Sequence, residues 1–525
     1  MSPISPCPGH SLCLGQRWYS NGMFWIDRFL NAITMYKLVL YGLAVCAAYA
    51  LTLSFMGRMP FTGVALFSSL ALLVMTCYGS NLVFSKICKA PVNSESQIIT
   101  ALILFFILFP AVSISGYALT ALVAVIAMAS KYLVVFRRAH ICNPVAIALV
   151  VLGLAGSGEA VWWVGNPLMF PLVAVLGFLV VRKLKRMSMA AAFLASAGIV
   201  AFGYGLWHGM SATEVVSFFV LSGPALFFAT IMLTEPLTAP GTHRLQVGYG
   251  VVVGLLFSSP FSFGPLYSTP ELALVIGNIL FFTMHPKERF KLFLKEKKEV
   301  ARAIFDFTFS VSQGTLSFKP GQYVECTLPH THADNRGERR YFTIASSPTE
   351  REVHFGIRVD GERGSSFKKA MLALSPEDPF VISGITGGFV LPEDTTQKMV
   401  FLAGGIGVTP FRSMSVYLKD MGQQRDVVLF YASKTESELA YRDVFDHLDG
   451  TGIRVVYVVN EQTSDWKGRT GMITKEMIME EVPDFASRLF YISGPHLMVL
   501  AFRKTLGEMG VPSSHISTDF FPGYA

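Results

Sequence analysis

Two hydrophobic patterns divide the chain. Across residues 38–284, apolar side chains run almost unbroken in stretches of roughly 17–25, the length that crosses a bilayer as a helix. Ten runs fall near 38–57, 62–79, 98–116, 117–136, 143–156, 167–181, 188–208, 215–234, 245–259 and 268–284, of which the fifth and sixth are short. Beyond residue 286 the period changes. Phe305-Asp306-Phe307-Thr308-Phe309-Ser310-Val311 alternates apolar with polar, and Pro320-Gly321 introduces Gln322-Tyr323-Val324, which predicts strands separated by turns. From Val400 the order becomes strand, glycine-rich turn, helix and strand, the pattern of a parallel sheet.

Composition sharpens that division. The 525 residues are 52% hydrophobic and 15% charged, with mean hydropathy +0.47, whereas soluble chains carry about 25% charged residues. An ordinary soluble enzyme is excluded. The net charge of +7 comes from 43 Lys+Arg against 36 Asp+Glu, and many cations sit in loops between apolar runs, so a nucleic-acid partner is not predicted. Lys86, Lys89, Arg137, Arg138, Arg182, Lys183, Lys185, Arg186 and Arg244 follow even-numbered runs, while the alternate loops offer Arg58. Lys and Arg near membrane ends stay cytoplasmic, so both termini and the C-terminal half are expected in the cytoplasm of a multi-pass inner-membrane protein. No basic, apolar, small-residue progression precedes Trp25, so the first run is expected to target the chain without a cleaved signal peptide.

Seven cysteines, at 7, 13, 46, 77, 88, 142 and 326, form no CxxC pair; no metal site is predicted, and an iron–sulfur relay within the chain is disfavoured. Histidines of the apolar half, at 140, 208, 243 and 285, lie near run ends without the repeated spacing of axial haem ligands. Polar residues within apolar context are more informative. Lys131 and Glu235 are ionisable residues at membrane depth, and Asn143-Pro144, Glu235-Pro236 and Pro240 are helix breakers. Snorkelling of Lys131 and simple loop edges at the prolines are the alternatives.

These residues carry a family resemblance. Ile98-Ile99-Thr100-Ala101-Leu102, Ser130-Lys131-Tyr132, Arg138-Ala139-His140-Ile141-Cys142-Asn143-Pro144 and Thr234-Glu235-Pro236-Leu237-Thr238-Ala239-Pro240 resemble the ten-span membrane flavin subunit of sodium-pumping NADH:quinone reductases and their Rnf relatives. The resemblance implies two five-helix repeats and a buried flavin near Lys131, His140, Asn143 and Glu235. That family attaches FMN through a threonine in a Ser-Gly-Ala-Thr-like motif. The corresponding loop here, Gly156-Ser157-Gly158-Glu159-Ala160-Val161-Trp162-Trp163, holds none, so noncovalent FMN or riboflavin is the expectation.

The other half has three motifs. Arg340-Tyr341-Phe342-Thr343-Ile344-Ala345-Ser346 offers a forked cation, an aromatic and hydroxyls; Gly361-Glu362-Arg363-Gly364-Ser365-Ser366-Phe367 opens a helix whose amides suit a phosphate. Phe401-Leu402-Ala403-Gly404-Gly405-Ile406-Gly407-Val408-Thr409-Pro410 is a glycine turn between strand and helix. Together with Ser493-Gly494-Pro495 and Thr518-Asp519-Phe520-Phe521, they resemble the ferredoxin-NADP reductase superfamily across about 298–525.

By that resemblance, FAD is held by Arg340, Tyr341, Phe342, Thr343, Ser346, Gly364, Ser365 and Ser366, with Thr343 beside flavin N5. NADH or NADPH is held by Gly404, Gly405, Gly407, Thr409, Pro410, Ser433, Lys434, Gly494 and Pro495. Thr343, Ser493, Asp519 and Phe521 are the expected catalytic group. Ser433 and Lys434 end the strand Val427–Tyr431 extends, with no acidic residue in that strand end, so both nucleotides are expected to react without strong preference.

The predicted fold class is therefore multi-domain. It comprises a cytoplasmic segment (1–37), an α-helical polytopic membrane domain (38–284), a basic linker (285–297), a FAD-binding β-barrel (298–396) and an NAD(P)-binding α/β domain (397–525). The expected activity is membrane-bound electron transfer from NAD(P)H through FAD and a second flavin to a quinone or outer-side acceptor. The alternative is a redox-coupled transporter of sodium or a solute.

Overall fold

The computed structural model describes residues 26, 29–30, 33–88, 94–136, 139–156, 160–263, 266–284, 289–312, 314–331, 333–334, 338–359, 364–461 and 466–521. The chain divides into two compact units, Met1–Lys287 and Glu288–Ala525.

Each of the ten apolar runs of the first unit coincides with helical structure. The helices are α1 (Met35–Phe55), α2 (Gly63–Ile87), α3 (Ser94–Ile107), α4 (Ile114–Leu133), α5 (Pro144–Leu154), α6 (Phe170–Lys183), α7 (Met187–Trp207), the bent pair α8 (Ala212–Ser222) and α9 (Ala225–Met232), α10 (His243–Ser258) and α11 (Pro270–Met284). Thr34, Thr62, Ser113 and Asn143 begin α1, α2, α4 and α5, their side-chain oxygens accepting amide hydrogens of the first turn. Among the described residues, four helices, α1, α2, α4 and α7, are long and apolar enough to cross a membrane, or five with the pair α8–α9 bent by 51°. The run 98–116 is shorter as a helix because its helix ends at Ile107, before Pro110, and α5 spans about 16 Å against a hydrocarbon core of roughly 30 Å. Apolar side chains point both inward and outward. Leu43, Leu66, Phe105, Phe193 and Phe228 are buried, while Val64, Met75, Ile114 and Trp207 are exposed, a distribution expected of helices facing lipid.

The second unit contains two lobes. One is a six-stranded antiparallel sheet of β1 (Arg289–Ala301), β2 (Ile304–Val311), β3 (Tyr323–Thr327), β4 (Arg339–Thr343), β5 (Val353–Arg358) and β6 (Phe380–Thr386), ordered β4-β3-β6-β1-β2-β5; helix α12 (Ser366–Ala373) packs on its core. Residues 289–297, expected in a linker, instead form most of β1: Leu292 and Leu294 are buried, so the alternation that makes a strand starts inside the basic run. His285 and Lys287 lie outside the described residues.

The other lobe is a parallel sheet of β7 (Met399–Gly404), β8 (Val427–Ser433), β9 (Ile453–Val459), β10 (Arg469–Thr470), β11 (Leu489–Pro495) and β12 (Ile516–Phe521), ordered β10-β9-β8-β7-β11-β12. Strands such as Met399–Gly404 are buried at every position because cores lie on both faces, which explains their continuous apolar sequence. Helix α13 (Thr409–Asp420) follows the glycine turn, with Pro410 in its first turn where no amide partner is lost.

Candidate functional site

Strand alternation puts Arg340 and Phe342 on one face of β4. The Arg340 guanidinium lies 5.3 Å from the ring centroid of Phe367 in α12, and the Phe342 ring lies 5.7 Å from it. Arg340 and the start of α12 converge on a single anion. The Asp334 carboxylate accepts from Arg340 at 2.9 and 3.2 Å and from the Ser366 amide at 3.2 Å. Ser366 Oγ also accepts the Asp334 amide at 2.9 Å and lies 2.9 Å from His330 Nε2. A forked cation and a helix amide therefore form an anion seat, occupied here by a carboxylate of the chain. Ser365 caps α12. Gly364 directly precedes that cap, whereas Gly361, Glu362 and Arg363 lie outside the described residues.

Tyr341 faces the other way. It is exposed and donates to Glu325 at 3.0 Å, so it does not join Arg340 and Phe342. Thr343 is buried at the end of β4, and its hydroxyl has no partner among the described residues. An unmatched hydroxyl in a dry site is costly unless a ligand completes it. Ser346 is differently occupied: its Oγ accepts the His354 amide at 3.2 Å.

The nucleotide turn assembles from two distant segments. Gly405 adopts φ +53°, and Gly407 lies so close to β11 that a Cβ there would meet Gly494 Cα and the Ser493 carbonyl carbon at 2.6 Å. The glycine turn and Ser493-Gly494-Pro495 thus form one surface beyond the carboxyl ends of parallel strands, where α/β sheets bind ligands. Ser493 Oγ is buried and, like Thr343, has no partner among the described residues. Asp519 pairs in register with Ser493 and Phe521 with Pro495. Thr409 Oγ1 donates to the Ile406 carbonyl at 3.1 Å, fixing the turn into α13.

At the end of β8, Ser433 donates to the Thr435 carbonyl at 2.6 Å and Lys434 lies exposed. The structure adds an acidic residue that the strand end itself lacks. Glu461, just past β9, lies 3.3 Å from Lys434 Nζ, and its amide donates to the Lys434 carbonyl at 2.9 Å. Neighbouring parallel strands bring residues 27 positions apart together, a separation without local signal in the sequence.

In the first unit Lys131 donates to Ser96 O, Ser96 Oγ and Thr100 Oγ1 at 2.8–3.0 Å. His140 lies opposite Val135 in a two-residue ladder. Asn143 and Glu235 are brought together: Asn143 Nδ2 donates to Glu235 Oε2 at 2.9 Å while Asn143 Oδ1 caps α5. Residues 233–240 leave helical geometry although Leu233, Thr234 and Thr238–Pro240 are buried. Arg186, expected as a loop cation, is buried and donates to the carbonyls of Thr234 and Glu235 at 2.8 and 3.3 Å. A helix break exposes carbonyls, and a cation at that carbonyl-rich end satisfies them. Asn278 completes the cluster, accepting the Asn143 amide and donating to Tyr249, at 2.9 and 2.6 Å.

Comparison with known proteins finds likeness to reductases. Residues 401–504 match the family model described as an oxidoreductase NAD-binding domain. Among curated proteins, the chain is 29% identical over 231 residues to the stachydrine N-demethylase reductase subunit Stc4 of Rhizobium meliloti, covering 42% of this chain and 64% of that protein. It is 26% identical over 255 residues to NADH-cytochrome b5 reductase 1 of Pyricularia oryzae, covering 46% and 82%. It is 28% identical over 223 residues to the glycine betaine monooxygenase reductase subunit of Pseudomonas aeruginosa, covering 41% and 59%. The chain spans less than two thirds of the length of the first and third of these relatives.

Proposed function

We propose that the chain is an NAD(P)H-dependent, FAD-containing oxidoreductase whose membrane unit carries electrons from the cytosolic side toward a quinone or an outer-side acceptor. The observation that carries the reductase reading is the convergence of Arg340 and the α12 amide on one anion seat, with the unmatched buried hydroxyl of Thr343 three residues further along the chain. Reductase relatives that match over 231 and 255 residues, and the family model that matches residues 401–504, support it.

FAD, when bound, accepts hydride from the nicotinamide. The chain's own residues position and isolate that chemistry. Arg340 and the start of α12 hold the pyrophosphate, Phe342 packs against the flavin, and Thr343 offers its hydroxyl near N5. The turn Gly404–Pro410 and Ser493–Pro495 hold the nicotinamide nucleotide, with Asp519 beside Ser493. Positioning requires no thiolate, so a serine at 493 suffices.

For the first unit, the proposal is a ten-span membrane domain of two five-helix repeats, with both termini cytoplasmic and noncovalent FMN or riboflavin near Lys131, His140, Asn143 and Glu235. The antiparallel lobe is proposed to close as a barrel around its core. Support comes from the order of the motifs, the outward apolar side chains and the helix break at residues 233–240. Mild purification of the whole chain with lipid, followed by flavin extraction and mass determination, tests the proposal. Two noncovalent flavins per chain, FAD and FMN or riboflavin, are expected. FAD alone would remove the membrane flavin from the scheme, and no flavin binding would remove the reductase reading.

A further inference from the structure

A dense set of polar contacts ties the antiparallel lobe to the parallel lobe within the second unit. It lies directly between the flavin-side strand and the nucleotide turn. Arg412 and Ser413, three and four residues after Thr409, reach the chain two and three residues beyond Thr343. Arg412 donates to the Ala345 carbonyl at 2.8 Å and grips Glu350 with both terminal nitrogens at 2.9 and 3.0 Å; Ser413 Oγ donates to the Ser346 carbonyl at 2.6 Å. A second tie runs from Tyr441, whose hydroxyl donates to Asp306 Oδ1 at 2.7 Å, while Asp306 Oδ2 accepts from His354 at 2.7 Å. The Arg412 guanidinium also lies over the Tyr441 ring at 5.2 Å.

The backbone leaves no slack at this junction. A Cβ on Gly356 of β5 would meet the Tyr441 hydroxyl at 2.5 Å and Thr409 Cγ2 at 2.8 Å, so the nucleotide turn rests against bare backbone of the other lobe. Burial by itself pushes Asp306 and Glu350 up; hydrogen bonds and nearby cations outweigh it and hold both below their ordinary values, so both remain charged partners at neutral pH. A largely buried network of this kind favours one relative geometry, because separating Arg412 from Glu350, or Tyr441 from Asp306, leaves a charged group without that partner.

We propose that Arg412, Ser413 and Tyr441 are positioning residues for hydride transfer, locking the strand end at Thr343 to the turn at Gly405–Thr409 and so setting the donor–acceptor distance. The inference rests on the reductase reading. Hydride moves with its electron pair from nicotinamide C4 to flavin N5, leaving oxidised nicotinamide and reduced flavin, and none of the three residues exchanges a proton in that step. Their effect is geometric, and small displacements of reacting atoms cost large factors in rate.

The test uses the whole chain in lipid, with Arg412→Lys and the double variant Ser413→Ala/Tyr441→Phe, which removes two hydroxyls but no charge. Flavin affinity, hydrogen exchange of the nucleotide-free protein, and single-turnover flavin reduction by NADH and its 4-deuterated form are measured. Expected are flavin affinity and half-saturating NADH within about threefold of the unsubstituted protein, with exchange quickened around 343–356 and 406–415. The reduction rate at saturating NADH should fall at least tenfold and retain a full isotope effect. Reduction rates within twofold in the double variant would overturn the proposal, as would a rate loss that merely follows flavin loss. If Arg412→Lys fails to fold, the double variant alone decides. Failure of the unsubstituted, flavin-loaded protein to be reduced would overturn the reductase reading itself and this inference with it.

Discussion

In the first unit, the buried polar groups around Glu235 largely serve backbone: Arg186 covers two carbonyls of the break, Asn278 takes an amide and Asn143 caps a helix. In the second unit, the network around Arg412 joins side chains of two lobes through the Arg412–Glu350 ion pair and the Tyr441–Asp306 hydrogen bond. The difference follows from the surroundings. Water cannot complete a helix break buried inside the unit, so polar side chains are recruited to local repair. Between two sheets that each fold around their own core, the same kinds of residue instead set an orientation. Loss of a group should therefore unfold or loosen the first region and misalign the second.

The largest expected effect lies at the anion seat. Arg340→Ala should strip FAD and abolish NAD(P)H oxidation, because the fork is lost and the Asp334 charge remains opposite the incoming phosphates. Flavin absorbance of the purified variant checks this, and full flavin content with full activity would sink the assignment. For the first unit, Arg186→Ala should cost about 3 kcal/mol or more, since buried carbonyls lose a charged donor, while NADH oxidation by the second unit persists. Thermal unfolding in detergent measures it; a loss below about 1 kcal/mol would mean that water reaches the break.

A smaller effect tests Asp334. Asp334→Asn should tighten FAD binding about tenfold, roughly 1.4 kcal/mol, because a competing carboxylate leaves a seat built for phosphate. Titration of flavin-free protein decides between this and a supporting role, in which affinity would fall. At the end of β8, Glu461→Gln should raise kcat/KM for NADPH relative to NADH a few-fold, since the exposed pair with Lys434 is worth only about 0.2–1 kcal/mol. A change above a hundredfold would require a role for Glu461 beyond that pair.

The least effect is in pH. Asp306 and Glu350, held below their ordinary values of 3.8 and 4.5, contribute stability that is fully present above those values and is lost as pH falls through the lowered ones. Melting of the second unit should thus be insensitive to these carboxylates from neutral pH to about 5 and should fall in more acid solution. Asp306→Asn should flatten that acid limb.

Local pattern was enough to read much of the architecture. Unbroken apolar runs located the helical segments because a helix facing lipid needs no polar stripe, and period-two alternation located β2 and β3 because a sheet face must meet a core. The glycine turn before α13 was legible because only a residue without a Cβ permits the approach of Gly407 to β11. Length and partnership were not. The helix in the third run ends at Ile107, the basic run after residue 288 becomes β1, and Arg186 is buried, each decided by neighbours that sequence does not order in space. Asp334 on Arg340, Glu461 beside Lys434 and Tyr441 on Asp306 are likewise contacts of tertiary structure. Sequence by itself determined which residues were chemically able to hold an anion or a charge. Only the fold decided which of them face one another, because hydrogen bonds and ion pairs act over a few ångströms that strand pairing and lobe packing, not chain proximity, supply.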